Sequence, residues 1–220
     1  MKAKLQQSKY WLSATYWPGD FAGLRPNGRS RIVAVAMSKV FTPATELEHW
    51  FWVGKYIPEE KDYVIYESIP SHGVAVGRLS WYDGCIYQVY RVNRPDAAAI
   101  GVKIIDEVSL FGRRDYGYLS ILDMLAGIIN IERNEWQKYK RLRRVTMYDM
   151  SGYMSRTGEL CTQLVHDVPL RLGIDILPKG MAALPPAFIA AAEAGIIREV
   201  TQGAKAPQEI LKLAPATKGA

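Results

Sequence analysis

Residues 49–68 read HWFWVGKYIPEEKDYVIYES. Two runs rich in aromatic and β-branched residues are broken by Pro58-Glu59-Glu60, which is the pattern of two strands joined by a turn. The first run begins with His49 and the second ends near Glu67. If Lys55 and Lys61 flank the turn, His49 and Glu67 stand directly opposite, with Cβ atoms about 5 Å apart. A slip of one residue would turn Glu67 to the other face. The same pattern continues downstream. HGVAVGRLSWY (72–82) reads as a third strand, Asp83-Gly84 as a tight turn and CIYQVYRVN (85–93) as a fourth strand. Short connections between consecutive strands imply an antiparallel meander.

Upstream, residues 1–18 read as a lead-in and 21–30 (FAGLRPNGRS) as a loop, on the strength of a proline and two glycines. The stretch 31–41 (RIVAVAMSKVF) fits a helix or a strand. Downstream of Pro95 the periodicity becomes helical, in 96–112 and more clearly in 118–142. A short helix over 159–168 is expected to stop at Pro169, and 186–200 to supply a last helix and strand. The Ala-, Lys- and Pro-rich segment 203–220 reads as a mobile tail. The expected class is α+β, an antiparallel meander packed against helices. The expected division is a lead-in (1–18), one domain (19–202) and the tail (203–220).

A chain of 220 residues with 49% hydrophobic and 23% charged residues has the length and composition of a globular protein with a sizeable core. The formal charge of +6 suits an anionic partner, whether nucleic acid, membrane surface or polyanionic envelope polymer. The basic run KYKRLRR (138–144) reads as a solvated helix end, so nucleic acid is not the expected partner. Cys85 and Cys161 are too few for a disulfide framework and lack zinc-site spacing. Neither a signal peptide nor a transmembrane helix is expected, which points to a cytoplasmic protein or one delivered by a phage particle or secretion apparatus.

Chemistry is concentrated in few residues. Cys161 falls near the start of the short helix, where main-chain N–H groups favour an anion and can hold a developing oxyanion. Taken alone, it reads more readily as a buried helix cysteine. Cys85 follows a turn on a strand and has no such field. His49 with Glu67 makes an imidazole oriented by a carboxylate, or else a surface pair of little energetic consequence. His72, in a loop, is the rival base. A local Cys161/His166/Asp167 grouping is disfavoured, because neighbours in sequence rarely converge.

The order of these motifs resembles the circularly permuted NlpC-type papain-like amidases and peptidases. Gly19-Asp20 is similar to that family's opening pair, and 29–41 to its first helix. His49 in EHWFWVGKY and Glu67 in YVIYES resemble the family histidine and acidic residue. Tyr90-Arg91-Val92 is similar to the strand that follows, and Tyr116-Gly117-Tyr118-Leu119 to a tyrosine motif heading the next helix. Leu160-Cys161-Thr162-Gln163-Leu164-Val165 resembles the Cys-Ser-x-Leu-Val signature, and Pro186-Ala187-Phe188-Ile189 the closing proline segment. The likeness spans roughly 18–200. Glu48 stands where the family has Ser, and Thr162 where it has Ser.

The resemblance implies a papain-like fold and a thiol hydrolase acting by acyl transfer. Cys161 would be the nucleophile, His49 the base and Glu67 the group that orients it. Tyr118, Trp50 and Thr162 would contact substrate. It implies amide substrates, cell-wall peptides (peptidoglycan) foremost, with no metal or organic cofactor. The alternative is a non-catalytic binding or structural module, such as a phage virion component, that retains the same fold.

Overall fold

The computed structural model describes residues 16–25, 39–70, 72–82, 85–110, 118–139, 144–150 and 160–201. The segments 26–38 and 202–220, which hold most of the expected first helix and the expected tail, lie outside the described residues, as does the Asp83-Gly84 turn.

The described strands are β1 (Asp20–Arg25), β2 (Phe41–Thr42), β3 (His49–Ile57), β4 (Asp62–Ile69), β5 (Gly73–Arg78), β6 (Ile86–Val92), β7 (Val145–Thr146) and β8 (Ile197–Glu199). The helices are α1 (Ala97–Leu110), α2 (Tyr118–Tyr139), α3 (Met147–Met150), α4 (Cys161–Arg171) and α5 (Pro185–Glu193). Six strands form an antiparallel sheet in the order β5-β4-β3-β1-β6-β8, while β2 and β7 pair in parallel. The chain is thus α+β. Among the described residues no helix is long and apolar enough to cross a membrane.

The meander holds for β3, β4 and β5 only. The fourth predicted strand, β6, pairs with β1 and not with β5. The segment expected to be a loop at 21–30 therefore contains, in β1, a central strand whose first five residues are all buried. Its glycine misleads for a physical reason. A Cβ on Gly23 would lie 2.8 Å from the Trp50 ring on the neighbouring strand, so the absent side chain makes room for an indole. The third predicted strand also ends early: Leu79–Tyr82 is a turn of 3₁₀ helix. Asp62 causes the bend by accepting hydrogen bonds from Ser80 Oγ at 2.5 Å and Ser80 N–H at 3.2 Å.

Each sheet face has its own core. On one, Phe21, Trp50, Trp52 and Tyr90 pack against Ile104 of α1, Leu164 and Val168 of α4, and Phe188 of α5. Trp50 stacks on Phe188 with ring centroids 4.3 Å apart. On the other, Leu24, Phe51, Val53, Ile65, Leu79 and Val89 form a second cluster, which Tyr16 joins. The Tyr16 N–H donates to Tyr63 Oη at 3.2 Å, so the end of the expected lead-in is packed into the domain.

The expected opening pair has a packing role. Gly19, at φ +86°, sits so close to α1 that an added Cβ would lie 2.2 Å from Gly101 Cα. Asp20 is buried and accepts from Arg91 Nε at 2.6 Å and Arg91 Nη2 at 2.7 Å, and the Trp17 N–H donates to the same carboxylate at 2.9 Å. The guanidinium carbon lies 3.4 Å from the centroid of the Trp17 ring. This cluster ties β1 to β6 at the centre of the sheet.

Candidate functional site

Helix α4 runs past its expected stop: Pro169 lies inside it and the helix ends at Arg171. It begins at Cys161, so the thiol stands on the first helical residue, beside main-chain N–H groups that have no partner within the helix. The Leu160 N–H is satisfied by Gln163 Oε1 at 2.9 Å, which closes the first turn. Trp52 Nε1 donates to the Leu164 carbonyl at 3.3 Å and fixes the helix over β3. That anchor places the Cys161 thiol above the start of the strand, with Sγ 3.6 Å from the Glu48 carbonyl oxygen.

His49 opens β3, and its side chain lies beside both Cys161 and Glu67. Nε2 lies 2.6 Å from Glu67 Oε2, which leaves Nδ1 for the thiol. The strand register differs from the expected one. Phe51, not His49, stands opposite Glu67, because β3 carries an extra residue between Val53 and Tyr56 and the turn occupies 58–61. The offset is two residues, so His49 and Glu67 keep the same face and meet diagonally.

The carboxylate is almost wholly enclosed, with its side chain 1% exposed, whereas the His49 ring is 19% exposed. Burial disfavours a charged ring. The proximity of Cys161 and of Glu67, with the negative charge both can carry, outweighs it and pushes His49 up to about 9. Burial pushes the Glu48 carboxyl up to about 7, and its Oε1 is buried without a hydrogen-bond partner among the described residues.

A side chain with no marker in the local sequence pattern completes this cluster. Tyr82, at the end of the 3₁₀ turn, donates its hydroxyl to Glu67 Oε2 and lies 3.2 Å from His49 Nε2. Its ring stacks on Phe51 at 5.5 Å between centroids. Read as part of a strand, the stretch 72–82 gives no sign of this; the signal is Asp62 capturing Ser80.

The remaining candidates fall elsewhere. Trp50 is fully buried in the core and Thr162 is buried on α4, so neither side chain is open to a substrate. The Tyr118 side chain lies outside the described residues, although its backbone starts α2. His72 is exposed in the β4–β5 turn. His166 lies 3.1 Å from Asp167 and 3.7 Å from Asp175, a surface network one turn or more beyond Cys161. Cys85 is half-buried at the foot of β6, and neither cysteine forms a disulfide. Among the described residues no group of histidine, cysteine and carboxylate side chains is arranged to hold a metal ion. A cavity of about 470 Å³ is lined by Arg25, Glu46, Gln88, Tyr90, Glu193 and Glu199; it contains none of Cys161, His49 and Glu67.

Room for the Glu67 carboxylate depends on Gly77 of β5. A Cβ there would lie 2.7 Å from Glu67 Oε1 and 3.0 Å from the Trp81 ring. Gly77→Ala is therefore expected to displace the carboxylate from His49 and lower the ring's titration midpoint towards the ordinary 6.5, as read by NMR. An unchanged midpoint would show that the carboxylate does not need this space.

The chain matches no protein-family model and no curated protein. The chemistry of the site therefore rests on its geometry: a thiol at a helix N-terminus, an imidazole on it and a buried carboxylate behind.

Proposed function

We propose that the chain is a thiol hydrolase of circularly permuted papain-like, NlpC-type architecture that cleaves amide bonds by acyl transfer. The carrying observation is that His49 bonds Glu67 Oε2 at 2.6 Å and lies beside Cys161, whose Sγ is 3.6 Å from the carbonyl oxygen of the preceding residue, Glu48. The three come from separate elements, in the chain order His, Glu, Cys that the permuted family displays. Three supports stand beside it: the cysteine heads a helix, its thiol lies over the start of the histidine strand, and the Gly19-Asp20 pair packs at the sheet centre.

In this reading Cys161 attacks as the thiolate with its proton carried by His49, a ring that stays protonated up to about pH 9. Cys161 Sγ attacks the carbonyl carbon, and the carbonyl π electrons move to oxygen. The main-chain N–H groups of the first turn of α4 stabilise that oxyanion. Collapse of the intermediate breaks the C–N bond while His49 Nδ1–H gives its proton to the leaving amine, which leaves a thioester. Neutral His49 then takes a proton from water, the hydroxide attacks the thioester, and the carboxylic acid departs as the sulfur regains its charge. Glu67 holds the ring and balances the imidazolium throughout.

The proposed substrates are cell-wall peptides, in keeping with a net charge of +6 that favours an anionic polymer. Purified peptidoglycan incubated with the protein should release fragments with new amine and carboxyl ends, detected by mass analysis. Turnover should fall as pH rises through about 9, because the imidazolium that protonates the leaving amine is lost there. Prior treatment with iodoacetamide should stop the release. Digests identical to the buffer control would leave cell-wall cleavage without support and favour a binding module with the same fold.

A further inference from the structure

The hydroxyl of Tyr82 meets His49 and Glu67 at the point where the two bond, and the mechanism above gives it no task. We propose that Tyr82 is a positioning residue that holds the Glu67 carboxylate in line with His49 Nε2 and tempers its charge, so that the imidazolium remains acidic enough to give up its proton. The inference rests on the hydrolase reading and extends it from three residues to four.

Three observations carry it. First, Tyr82 Oη donates to the same oxygen, Glu67 Oε2, that accepts from His49 Nε2 at 2.6 Å. Two donors on one carboxylate oxygen compete, and each weakens the pull on the other. Second, the phenol remains a donor at every working pH: burial and then the Glu67 hydrogen bond hold it well above the ordinary tyrosine range. Third, the ring is rigidly placed. It stacks on Phe51 with the two planes 9° apart, Tyr87 Oη donates to the Tyr82 carbonyl, and the 3₁₀ turn is pinned by Ser80 on Asp62. A hydroxyl fixed so well from three sides is arranged to present one donor at one point. Ionisable groups near the imidazole are Cys161, Glu67, Tyr82 and Glu48, whose main-chain oxygen lies 3.6 Å from Cys161 Sγ.

Removing the hydroxyl and removing the carboxylate should move His49 in opposite directions. In Tyr82→Phe the ring stack and the Tyr87 contact persist, but Glu67 loses a donor and becomes a stronger partner for the imidazolium. The His49 titration midpoint is expected to rise by about half a unit, followed by NMR of the imidazole. Glu67→Gln should lower it. A purely structural role for Tyr82 would loosen Glu67 and lower the midpoint, or leave it fixed. Either of those results in Tyr82→Phe overturns the inference, while a fast-reacting Cys161 in the same protein keeps the hydrolase reading intact. If the wild-type Cys161 reacts no faster than Cys85, the hydrolase reading falls and this inference with it.

Discussion

Cys161→Ala is expected to reduce amide hydrolysis by about 10⁴-fold or more, with the folded structure retained. Deletion of a nucleophile removes the covalent route entirely, and the helix N-terminus and histidine that remain have nothing to activate. Cys161→Ser should be almost as damaging, because a serine hydroxyl, unlike a thiol, does not pass its proton to a neighbouring imidazole in the resting protein. The substitution also has a readout that needs no substrate. Cys161 is the neighbour that does most to raise His49, so in Cys161→Ala the ring should titrate well below the value of about 9 expected with the cysteine in place. Loss of turnover with His49 unmoved would place the histidine's partner elsewhere. The buried thiol is small, so replacing it with alanine costs little packing and the two effects can be read on folded protein.

The largest loss of stability is expected from Asp20→Ala. Arg91 and Asp20 have side chains 3% and 1% exposed, and the carboxylate takes both guanidinium hydrogen bonds as well as the Trp17 N–H. Removal of one partner leaves a buried cation under the Trp17 ring with nothing to neutralise it, at a cost of about 3–5 kcal/mol. Arg91→Ala should cost a similar amount. The double variant should cost much less than the two together, because the uncompensated charge disappears with its partner. Urea unfolding of the four proteins measures this. A loss below about 1 kcal/mol for Asp20→Ala would mean that the pair does not hold β1 to β6. The cluster bears on the site because β1 lies directly beside β3, which carries His49.

The legible parts of the fold are those in which local pattern and final environment agree. In β3 and β4, aromatic and β-branched residues fill both faces of interior strands, and the bounds expected from sequence nearly coincide with the observed ones. β1 is not legible locally, because Ala22 and Gly23 are small for a reason that lies in another strand, where the Trp50 indole needs the space. Helix α4 runs through Pro169 because the carbonyls near its end are satisfied downstream: Pro169 oxygen accepts from the N–H groups of Leu172 and Ile174, both at 2.9 Å.

At the site, the partnership of His49 with Glu67 survives the difference in register because the offset is an even number of residues, which preserves the face of a strand. The bulge that causes the shift has no strong sequence signal. Trp50 and Thr162, expected at the substrate, are buried instead, and Trp50 directly follows His49 on β3. On a strand the next residue points to the opposite face, and here that face is the core. Tyr82 is invisible to local pattern, since its position depends on a contact between Asp62 and Ser80, 18 residues apart.

The most direct measurement is the rate of iodoacetamide alkylation of the two cysteines at pH 6, in the wild type and in His49→Ala. Cys161 should react about a hundredfold faster than Cys85 in the wild type, and the replacement of His49 should remove most of that advantage. Equal, slow reaction of both thiols in the wild type, or a fast Cys161 that is indifferent to His49, would contradict a thiolate held by the imidazole.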